Sequence, residues 1–322
     1  MTECYCADRQ SGKKCAAIGK EIRGRIKGSM VRIKTLLGLI LCTVILTGCA
    51  GKEPALEEIV QEGENKFSCS FDGVKHDFVT ELPEETEGAP LVLMLHGYGS
   101  TAEAFRTMVH FEKEAVPAGY GIVYVSGAPD PNDATSAGGW NSGIGAEGND
   151  DVGFLVSLAK YLQEQYGFDR DRTYAAGFSN GAFMTHRLAM EASDTFRAVV
   201  SVAGMMTENV WNERNDSNSV SVFQITGGKD DVVPKHSDGT ARFTKAPAIE
   251  DVMEYWSASN GLSLSETTEI GKNNVLYWYG SEAGEHQVWH LWIKDGRHSW
   301  PEEAISGIRT NELILEFLNG CN

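Results

Sequence analysis

The sequence has no apolar run long enough to cross a lipid bilayer, which takes about 20 residues. Its longest predominantly apolar run, residues 36–46, spans eleven residues and follows a short basic segment at residues 30–34. A basic segment before a short apolar run is typical of a secretory signal peptide. We therefore expect residues 1–48 to be a leader that is removed on export.

Cysteine is also scarce once that leader is set aside, because only Cys49, Cys69 and Cys321 remain of seven. The segment Leu46-Thr47-Gly48-Cys49 resembles the bacterial lipoprotein signal. That resemblance implies lipidation of Cys49 and a membrane-anchored, extracytoplasmic protein. The alternative is an ordinary secretory signal with a chance cysteine. For Cys69 and Cys321 we favour two separate buried thiols over a disulfide, because nothing in the sequence places the two sulfurs within bonding range.

The segment before the basic residues has no apolar periodicity. Residues 1–29 carry three cysteines, which leaves a basic arm or a metal site open. We favour instead a translation start at Met30, with the preceding residues an over-extended start. Residues 49–66 are polar and acidic and are predicted to be a tether, so that the folded domain is expected to be residues 67–322.

Basic residues are few in this body. Of the 28 Lys and Arg, nine lie in residues 1–48 together with three of the 45 Asp and Glu, which leaves 19 basic and 42 acidic residues (net −23) in residues 49–322. So acidic a surface repels nucleic acid and anionic membrane surfaces. We expect no nucleic-acid partner, and membrane contact only through the lipid anchor.

Short apolar runs alternate with helical patterns through most of the body. An antiparallel pair is predicted at residues 67–71 and 74–82, joined by the Asp72-Gly73 turn. Further strands and helices then alternate along the chain. Strands are predicted at residues 90–95, 121–126, 173–176, 196–203, 220–226, 275–279 and 286–293, and helices at 102–114, 152–166, 183–190, 248–259 and 302–318. The pattern predicts one α/β domain with a mostly parallel sheet and helices on both faces.

The most informative stretch is Gly177-Phe178-Ser179-Asn180-Gly181, which lies between a predicted strand and a predicted helix. In that context the motif indicates a nucleophile elbow, a sharp turn that presents a reactive serine at the top of the sheet. Ser179 is therefore the candidate nucleophile. The alternative is an ordinary glycine-rich turn.

Two further loops that leave strand ends carry the other groups that a serine nucleophile needs. Asp230 follows the strand at 220–226, and His298 follows the last strand. The order Ser, Asp, His is the chain order of an α/β-hydrolase triad. Asp231 is the less favoured acid, because Asp230 has the better spacing to Val233-Pro234. The other seven histidines are less suitable as the base. His96 lies in the loop expected to bind the oxyanion, and the rest either fall within predicted strands or lie in no segment that matches the context of a catalytic histidine.

From residue 91 onward the chain resembles a group of α/β-hydrolase esterases. The group comprises polyhydroxybutyrate depolymerases, feruloyl esterases and the acetylxylan esterases of carbohydrate esterase family one. The matching segments are His96-Gly97-Tyr98-Gly99, Trp140-Asn141, Asp150-Asp151-Val152-Gly153-Phe154, the elbow, Gly227-x-x-Asp230-x-x-Val233-Pro234 and His298-x-Trp300-Pro301. One departure is Thr226-Gly227, where the group often has His-Gly.

The resemblance implies an α/β-hydrolase fold and a serine esterase without cofactor or metal. The backbone N–H groups of Tyr98 and Asn180 are expected to form the oxyanion hole. Trp140 and Trp300 are candidate platforms for an acyl group or a sugar. For each tryptophan the alternative is plain packing. A zinc site is disfavoured because His286 and His290, which share one strand face, have no third ligand nearby in the sequence.

These features predict a lipid-anchored serine esterase that removes feruloyl or acetyl groups from plant polysaccharide or oligosaccharide. A polyhydroxyalkanoate depolymerase or a general short-chain carboxylesterase is the alternative within the enzymes, and a non-catalytic solute-binding lipoprotein is the alternative outside them. The interval between the strand after the elbow helix and the next strand, residues 204–219, is short and polar. We therefore expect no lid domain.

Overall fold

The computed structural model describes residues 55–129, 137–144, 148–215, 218–234 and 245–321. The leader, with Met30, and residues 49–54 of the predicted tether, with Cys49, lie outside these residues. The strands are β1 (Leu56–Gln61), β2 (Lys66–Phe71), β3 (Val74–Glu81), β4 (Leu91–Leu95), β5 (Gly121–Val125), β6 (Thr173–Phe178), β7 (Ala198–Val202), β8 (Ser221–Gly227), β9 (Leu264–Ile270), β10 (Asn274–Gly280) and β11 (Val288–Ile293). The helices are α1 (Ala102–Val109), α2 (Glu112–Ala115), α3 (Asp151–Tyr166), α4 (Asn180–Glu191), α5 (Glu208–Asn212), α6 (Ile249–Ser259), α7 (Glu303–Ser306) and α8 (Thr310–Asn319).

All these strands form one sheet in the order β1-β2-β3-β5-β4-β6-β7-β8-β11-β10-β9. The six strands from β5 to β11 in that order run parallel, and antiparallel strands extend the sheet at both edges. The predicted pair β2–β3 is confirmed. The parallel centre places the carboxyl ends of β4, β6, β8 and β11 along one edge of the sheet, which is where α/β proteins bind ligands.

Two edge strands were not predicted. Strand β1 lies within the segment that we expected to be part of an acidic tether, and β9 lies in a stretch to which no element was assigned. Most side chains of both strands are exposed, and β1 contains a bulge with Glu58 at φ 52°. Such strands are held by backbone pairing with one neighbour, so their sequences carry little hydrophobic pattern.

Helices cover both faces of the sheet, as predicted. On one face α3, α4 and α6 bury Phe154, Leu188 and Trp256 against the strands. On the other face α1 and α8 bury Phe105 and Phe317. The strands between the two layers are apolar throughout, since β4, β5 and β7 are buried along their whole length.

Two predicted helices are each divided in the structure. The helix expected at residues 102–114 stops at His110, which adopts the left-handed conformation with φ 49°, and α2 follows. The last helix is divided at Gly307, with φ 71°, into α7 and α8. In both places a residue with positive φ ends a helical turn, which the apolar spacing alone does not reveal.

Cys69 and Cys321 are free and buried. Cys69 packs in the cluster that contains Phe154, and Cys321 packs in the cluster on the opposite face that contains Phe317. Two separate thiols, the favoured prediction, are therefore what the structure shows. Burial raises the pKa of the Cys69 thiol to about 12, with a smaller contribution from Asp77. Among the described residues no helix is long and apolar enough to cross a membrane.

Candidate active site

The turn between β6 and α4 presents Ser179 in a conformation that L-amino acids rarely adopt, with φ 53° and ψ −117°. Its N–H donates to the carbonyl of Val202 at 3.0 Å, which ties the turn to β7. A methyl group at Gly181 would lie 2.2 Å from the carbonyl oxygen of Leu95, and one at Gly177 would lie 2.3 Å from that of Gly181. Only glycine fits at both positions, so the motif is explained by close backbone packing around a strained serine.

The three predicted side chains meet at this turn. The imidazole Nε2 of His298 lies 2.9 Å from the hydroxyl oxygen of Ser179, and its Nδ1 lies 2.8 Å from Oδ2 of Asp230. Because a carboxylate only accepts, Nδ1 carries the proton and Nε2 is free to accept from the serine hydroxyl. The side chain of Asp230 is fully buried and that of His298 is partly exposed. A base oriented by a buried acid and touching a hydroxyl is the arrangement that activates a serine nucleophile.

Backbone contacts fix Asp230 in its turn. Its second carboxylate oxygen, Oδ1, accepts from the N–H groups of Val232 at 2.9 Å and Val233 at 2.8 Å. These two bonds explain the spacing to the Val-Pro pair, and they leave Oδ2 for the imidazole. Asp231 is exposed, which agrees with its place as the less favoured acid.

The acid loop and the base loop are also bonded to each other. Gly228 N–H donates to the carbonyl of Ile293 at 2.7 Å, and Lys229 N–H donates to that of Gly296 at 2.8 Å. Thr226, the departure from the His-Gly pattern, lies with its hydroxyl 3.3 Å from Nε2 of His290 inside the sheet. The substitution therefore leaves the geometry of Asp230 intact.

The other histidines that the structure describes do not contact Ser179. His96 is buried, with Nδ1 2.7 Å from the carbonyl of Gly97 and Nε2 accepting from the N–H of Gly127 at 2.9 Å. Burial lowers the pKa of His96, so it is neutral and structural. His186 is buried against Gln224, and burial lowers its pKa to about 4. His236 lies outside the described residues.

The two N–H groups predicted to bind an oxyanion lie on segments next to Ser179. Asn180 is the first residue of α4, so its N–H has no intrahelical acceptor. Within the described part of the chain, the N–H of Tyr98 also donates no backbone hydrogen bond. The loop that carries Tyr98 approaches the nucleophile closely, because a methyl group at Gly97 would lie 3.3 Å from Cβ of Ser179. Both predicted donor loops therefore border the serine, and backbone N–H pairs of this kind stabilise tetrahedral intermediates.

Neither tryptophan offers an exposed ring. Trp140 is 6% exposed, and its indole N–H donates to the carbonyl of His96 at 2.9 Å. Trp300 is 8% exposed, donates to Oδ1 of Asn311 at 3.0 Å and packs edge-on against Phe105. The prediction of an exposed stacking platform is therefore wrong for both residues, because packing contacts bury both rings.

The exposed aromatic ring at the site is that of Tyr98, which is 61% exposed. Its hydroxyl accepts from the N–H of Ala137 at 3.1 Å, and Gly139 packs against its ring. The sequence analysis assigned only the backbone of this residue. The signal that was available is the residue type itself, a large aromatic side chain in a loop expected to border the nucleophile.

No group of His, Cys, Asp and Glu suited to a metal ion occurs within the residues that the structure describes. The cysteines of the leader, for which a metal site was left open, lie outside that part of the chain.

Comparisons with known proteins agree with this geometry. Residues 81–240 match the family model described as Esterase PHB depolymerase. NocK of Nocardia uniformis subsp. tsuyamanensis, an esterase by name, is 31% identical over 194 residues, which are 58% of this chain and 52% of that protein. Feruloyl esterase B of Talaromyces stipitatus is 30% identical over 127 residues, 38% of this chain and 34% of that protein.

Among solved structures, an acetyl xylan esterase from Aspergillus awamori superposes with a TM-score of 0.56 at 12% identity, covering 76% of this chain and 94% of that one. At that identity the likeness shows a shared fold. This chain covers about half of NocK and about a third of the feruloyl esterase. Residues 81–240 are therefore similar to the esterase PHB depolymerase family, and the chain shares the fold of a known esterase.

Proposed function

We propose that the protein hydrolyses carboxylic esters through an acyl-enzyme on Ser179. The observation that carries the proposal is the pair of contacts made by His298, 2.9 Å to the serine hydroxyl and 2.8 Å to the carboxylate of Asp230. These contacts supply a nucleophile, a base and an orienting acid in one line.

The geometry assigns each step to an atom. Nε2 of His298 accepts the proton of Ser179 as its Oγ attacks the ester carbonyl carbon. The N–H groups of Asn180 and Tyr98 donate to the resulting oxyanion, and each such donor lowers the barrier by ~3 kcal/mol. Asp230 stabilises the imidazolium. The imidazolium then returns the proton to the departing alcohol, and the acyl group remains on Oγ.

Deacylation repeats these steps with water. His298 accepts a proton from the water as its oxygen attacks the acyl carbon, and the second tetrahedral species collapses to a carboxylic acid and free Ser179. The same oxyanion donors serve both halves of the cycle. The residues described need no metal or cofactor for either half.

For the substrate, we propose feruloyl or acetyl esters of plant polysaccharide or its oligosaccharides. Support comes from the names of the similar proteins, which include feruloyl esterases and acetylxylan esterases. The exposed, anchored ring of Tyr98 adds a flat surface beside the oxyanion donors, suited to stacking on an aromatic acyl group or a sugar. A polyhydroxyalkanoate depolymerase or a general short-chain carboxylesterase remains the alternative within the enzymes.

The structure of the interval between β7 and β8 supports an open site. Its one described helix, α5, buries Val210 and is tied down through Thr207, whose hydroxyl donates to the carbonyl of Ser142 at 3.4 Å. The neighbouring described residues 212–215 are exposed and polar. A segment built this way does not provide an apolar cover. We propose turnover of polymeric and oligosaccharide esters, weak activity on long-chain lipid esters, and no rate increase when a substrate passes its solubility limit.

We further propose that the protein is an extracytoplasmic lipoprotein acylated at Cys49. The support is the sequence Leu46-Thr47-Gly48-Cys49 after a short apolar run. Two acyl chains on a diacylglycerol give stable anchoring where one chain is marginal. Mass spectrometry of the native N-terminus tests this proposal: an acylated Cys49 is expected, and an unmodified Ala50 or an intact leader contradicts it.

The enzymatic proposal is tested by a substrate panel assayed with the wild type and with Ser179→Ala. The panel comprises methyl ferulate, acetylated xylan, short-chain and long-chain nitrophenyl esters and polyhydroxybutyrate. We expect hydrolysis of at least one of the first three by the wild type and none above background by the variant. A wild type without activity on any ester would favour the non-catalytic solute-binding alternative, which the complete triad geometry opposes.

A further inference from the structure

Residues 137–142, a short segment with no regular structure, touch both loops that carry the proposed oxyanion donors. On one side the N–H of Gly99 donates to the carbonyl of Gly138 at 2.7 Å. On the other side the side chain of Asn180 makes two hydrogen bonds with the backbone of Trp140. Its Oδ1 accepts from the Trp140 N–H at 2.7 Å, and its Nδ2 donates to the Trp140 carbonyl at 3.1 Å. The position of this segment therefore sets the positions of both donors.

The contact is too tight for the segment to shift independently. A methyl group at Gly139 would lie 2.9 Å from the ring of Tyr98 and 3.1 Å from Oδ1 of Asn180. Asn180 also donates to the hydroxyl of Ser142 at 3.0 Å. Because of these contacts, a displacement of the segment would also shift the start of α4 and the loop that carries Tyr98.

Two ionisable side chains hold the far end of the segment at Asn141. The N–H of Asn141 donates to Oδ2 of Asp151 at 2.6 Å, and its carbonyl accepts from Nη1 of Arg187 at 2.5 Å. Arg187 is itself oriented by two hydrogen bonds to Glu191, at 2.7 and 3.2 Å. Both backbone groups of Asn141 are thus bound by side chains that project from α3 and α4.

Burying the carboxyl group of Asp151 at this position costs folding free energy. It is 1% exposed, and its second oxygen, Oδ1, is buried with no hydrogen-bond partner among the residues described. Burial raises the pKa of its carboxyl group to about 7, against the opposing effects of the Asn141 N–H and the Arg187 charge. The helix does not need it as a cap, because Asp150 already accepts from the N–H of Gly153 at 2.9 Å. A buried carboxylate that capping does not explain points to another role.

We propose that Asp151 and Arg187 are positioning residues of the esterase, which hold the oxyanion hole in its productive geometry by clamping Asn141. They do not touch the substrate. The inference rests on the proposed function, because it concerns donors that act on the tetrahedral intermediate. A small misplacement of such donors lowers the rate of the chemical step while leaving ground-state binding unchanged.

The test compares Asp151→Ala, which removes the acceptor for the Asn141 N–H, with Asp151→Asn, whose side-chain oxygen can still accept from it. Asp150→Asn is the neighbouring control, because it keeps an equally good helix cap. We expect kcat for a short-chain ester to fall roughly tenfold in Asp151→Ala with KM unchanged, because a misplacement of the reacting groups costs up to about a hundredfold, and to fall less in Asp151→Asn. Affinity for a boronic acid that mimics the tetrahedral intermediate is expected to fall by a similar factor. Asp150→Asn is expected to match the wild type in all three quantities.

Arg187→Lys and Arg187→Met provide a second test if Asp151→Ala does not fold, with the folded fraction checked by circular dichroism. Lysine keeps a donor for the Asn141 carbonyl and is expected to retain more kcat than methionine. An unchanged kcat and boronate affinity in folded Asp151→Ala, or equal kcat in the two Arg187 variants, overturns the proposal. A wild type that hydrolyses no ester would instead refute the proposed function, so the two failures are distinguishable.

Discussion

His298 Nε2 lies 2.9 Å from Ser179 Oγ although 119 residues separate them in the chain. The contact is made because β6 and β11 belong to one parallel array, so that the loops after these strands leave the same edge of the sheet. The close packing of Gly177 and Gly181 then raises the serine into reach of the imidazole. The proposed chemistry of the protein depends on this pair.

The triad is predicted to act as a unit. We expect Ser179→Ala and His298→Ala each to lower kcat to a similar residual level, and the double variant to be no worse than either single variant, because neither group works without the other. Asp230→Asn is expected to be severe but to leave more activity, since the imidazole keeps its contact with the serine. Steady-state kinetics on a short-chain nitrophenyl ester measures these effects. Losses that multiply in the double variant would contradict the assignment.

The glycines of the elbow are predicted to be irreplaceable for steric reasons. Gly181→Ala places a methyl group 2.2 Å from the Leu95 carbonyl oxygen, so we expect it to abolish activity and to lower the melting temperature strongly. Gly63→Ala is the matched control, because a methyl group there meets only the side chain of Lys66 at 3.7 Å. We expect that variant to retain wild-type activity and stability. An active, stable Gly181→Ala would show that the turn is less tightly packed than described.

Tyr98 and Trp140 are predicted to have separate effects on kinetics. We expect Tyr98→Ala to raise KM for methyl ferulate more than for an acetyl ester, because only the aromatic acyl group can stack on the exposed ring. Trp140→Phe keeps most of the buried ring but loses the hydrogen bond to the His96 carbonyl. We expect Trp140→Phe to lower the stability of the protein and to lower kcat equally for both esters. Selective loss of the aromatic substrate in Trp140→Phe, and not in Tyr98→Ala, would restore the original assignment.

A pH prediction follows from His186, which is buried and neutral. Its pKa is about 4 in the folded protein against 6.5 for an unperturbed histidine. Between these values the unfolded chain binds the additional proton, so His186 destabilises the fold progressively as the pH falls from about 6.5 towards 4. The buried Asp151, whose pKa is raised, has the opposite effect across that range, because there the folded state binds the additional proton.

Urea unfolding of the wild type and His186→Gln separates the two contributions, since Asp151 is common to both. We expect the stability of the wild type relative to the variant to decrease as the pH is lowered from about 7 to about 4.5. A difference that does not change with pH, or that changes in the other direction, would contradict the buried, neutral state of His186.

The sequence was sufficient for the central part of the fold. Short apolar runs such as those of β4 and β7 are typical of strands buried on both faces, and the elbow motif lies between a strand and a helix as expected. The edge strands β1 and β9 were missed because their exposed side chains have no hydrophobic period. Breaks within helices depended on single residues in the left-handed conformation, His110 and Gly307.

For the site, the sequence was sufficient to identify the three side chains that ester hydrolysis through a serine requires. It was not sufficient for residues whose role depends on how deeply they are buried. The positions of Ser179, Asp230 and His298 follow from strand-end loops and their order. Trp140 and Trp300 have the residue type of a stacking platform, and only the packing of their rings against His96 and Phe105 shows otherwise. In the sequence Asp151 is one of two adjacent aspartates before a predicted helix, and its contact with Asn141 depends on a loop whose path the sequence does not encode locally.

The most direct test of the account is covalent trapping of the nucleophile. A fluorophosphonate probe reacts with a serine only where a base and an oxyanion hole activate it. We expect the wild type to be labelled once, on the peptide that contains Ser179, and the label to be absent from Ser179→Ala and reduced to trace levels in His298→Ala. Stoichiometric labelling of a different residue, or undiminished labelling of Ser179→Ala, would show that Ser179 is not the nucleophile.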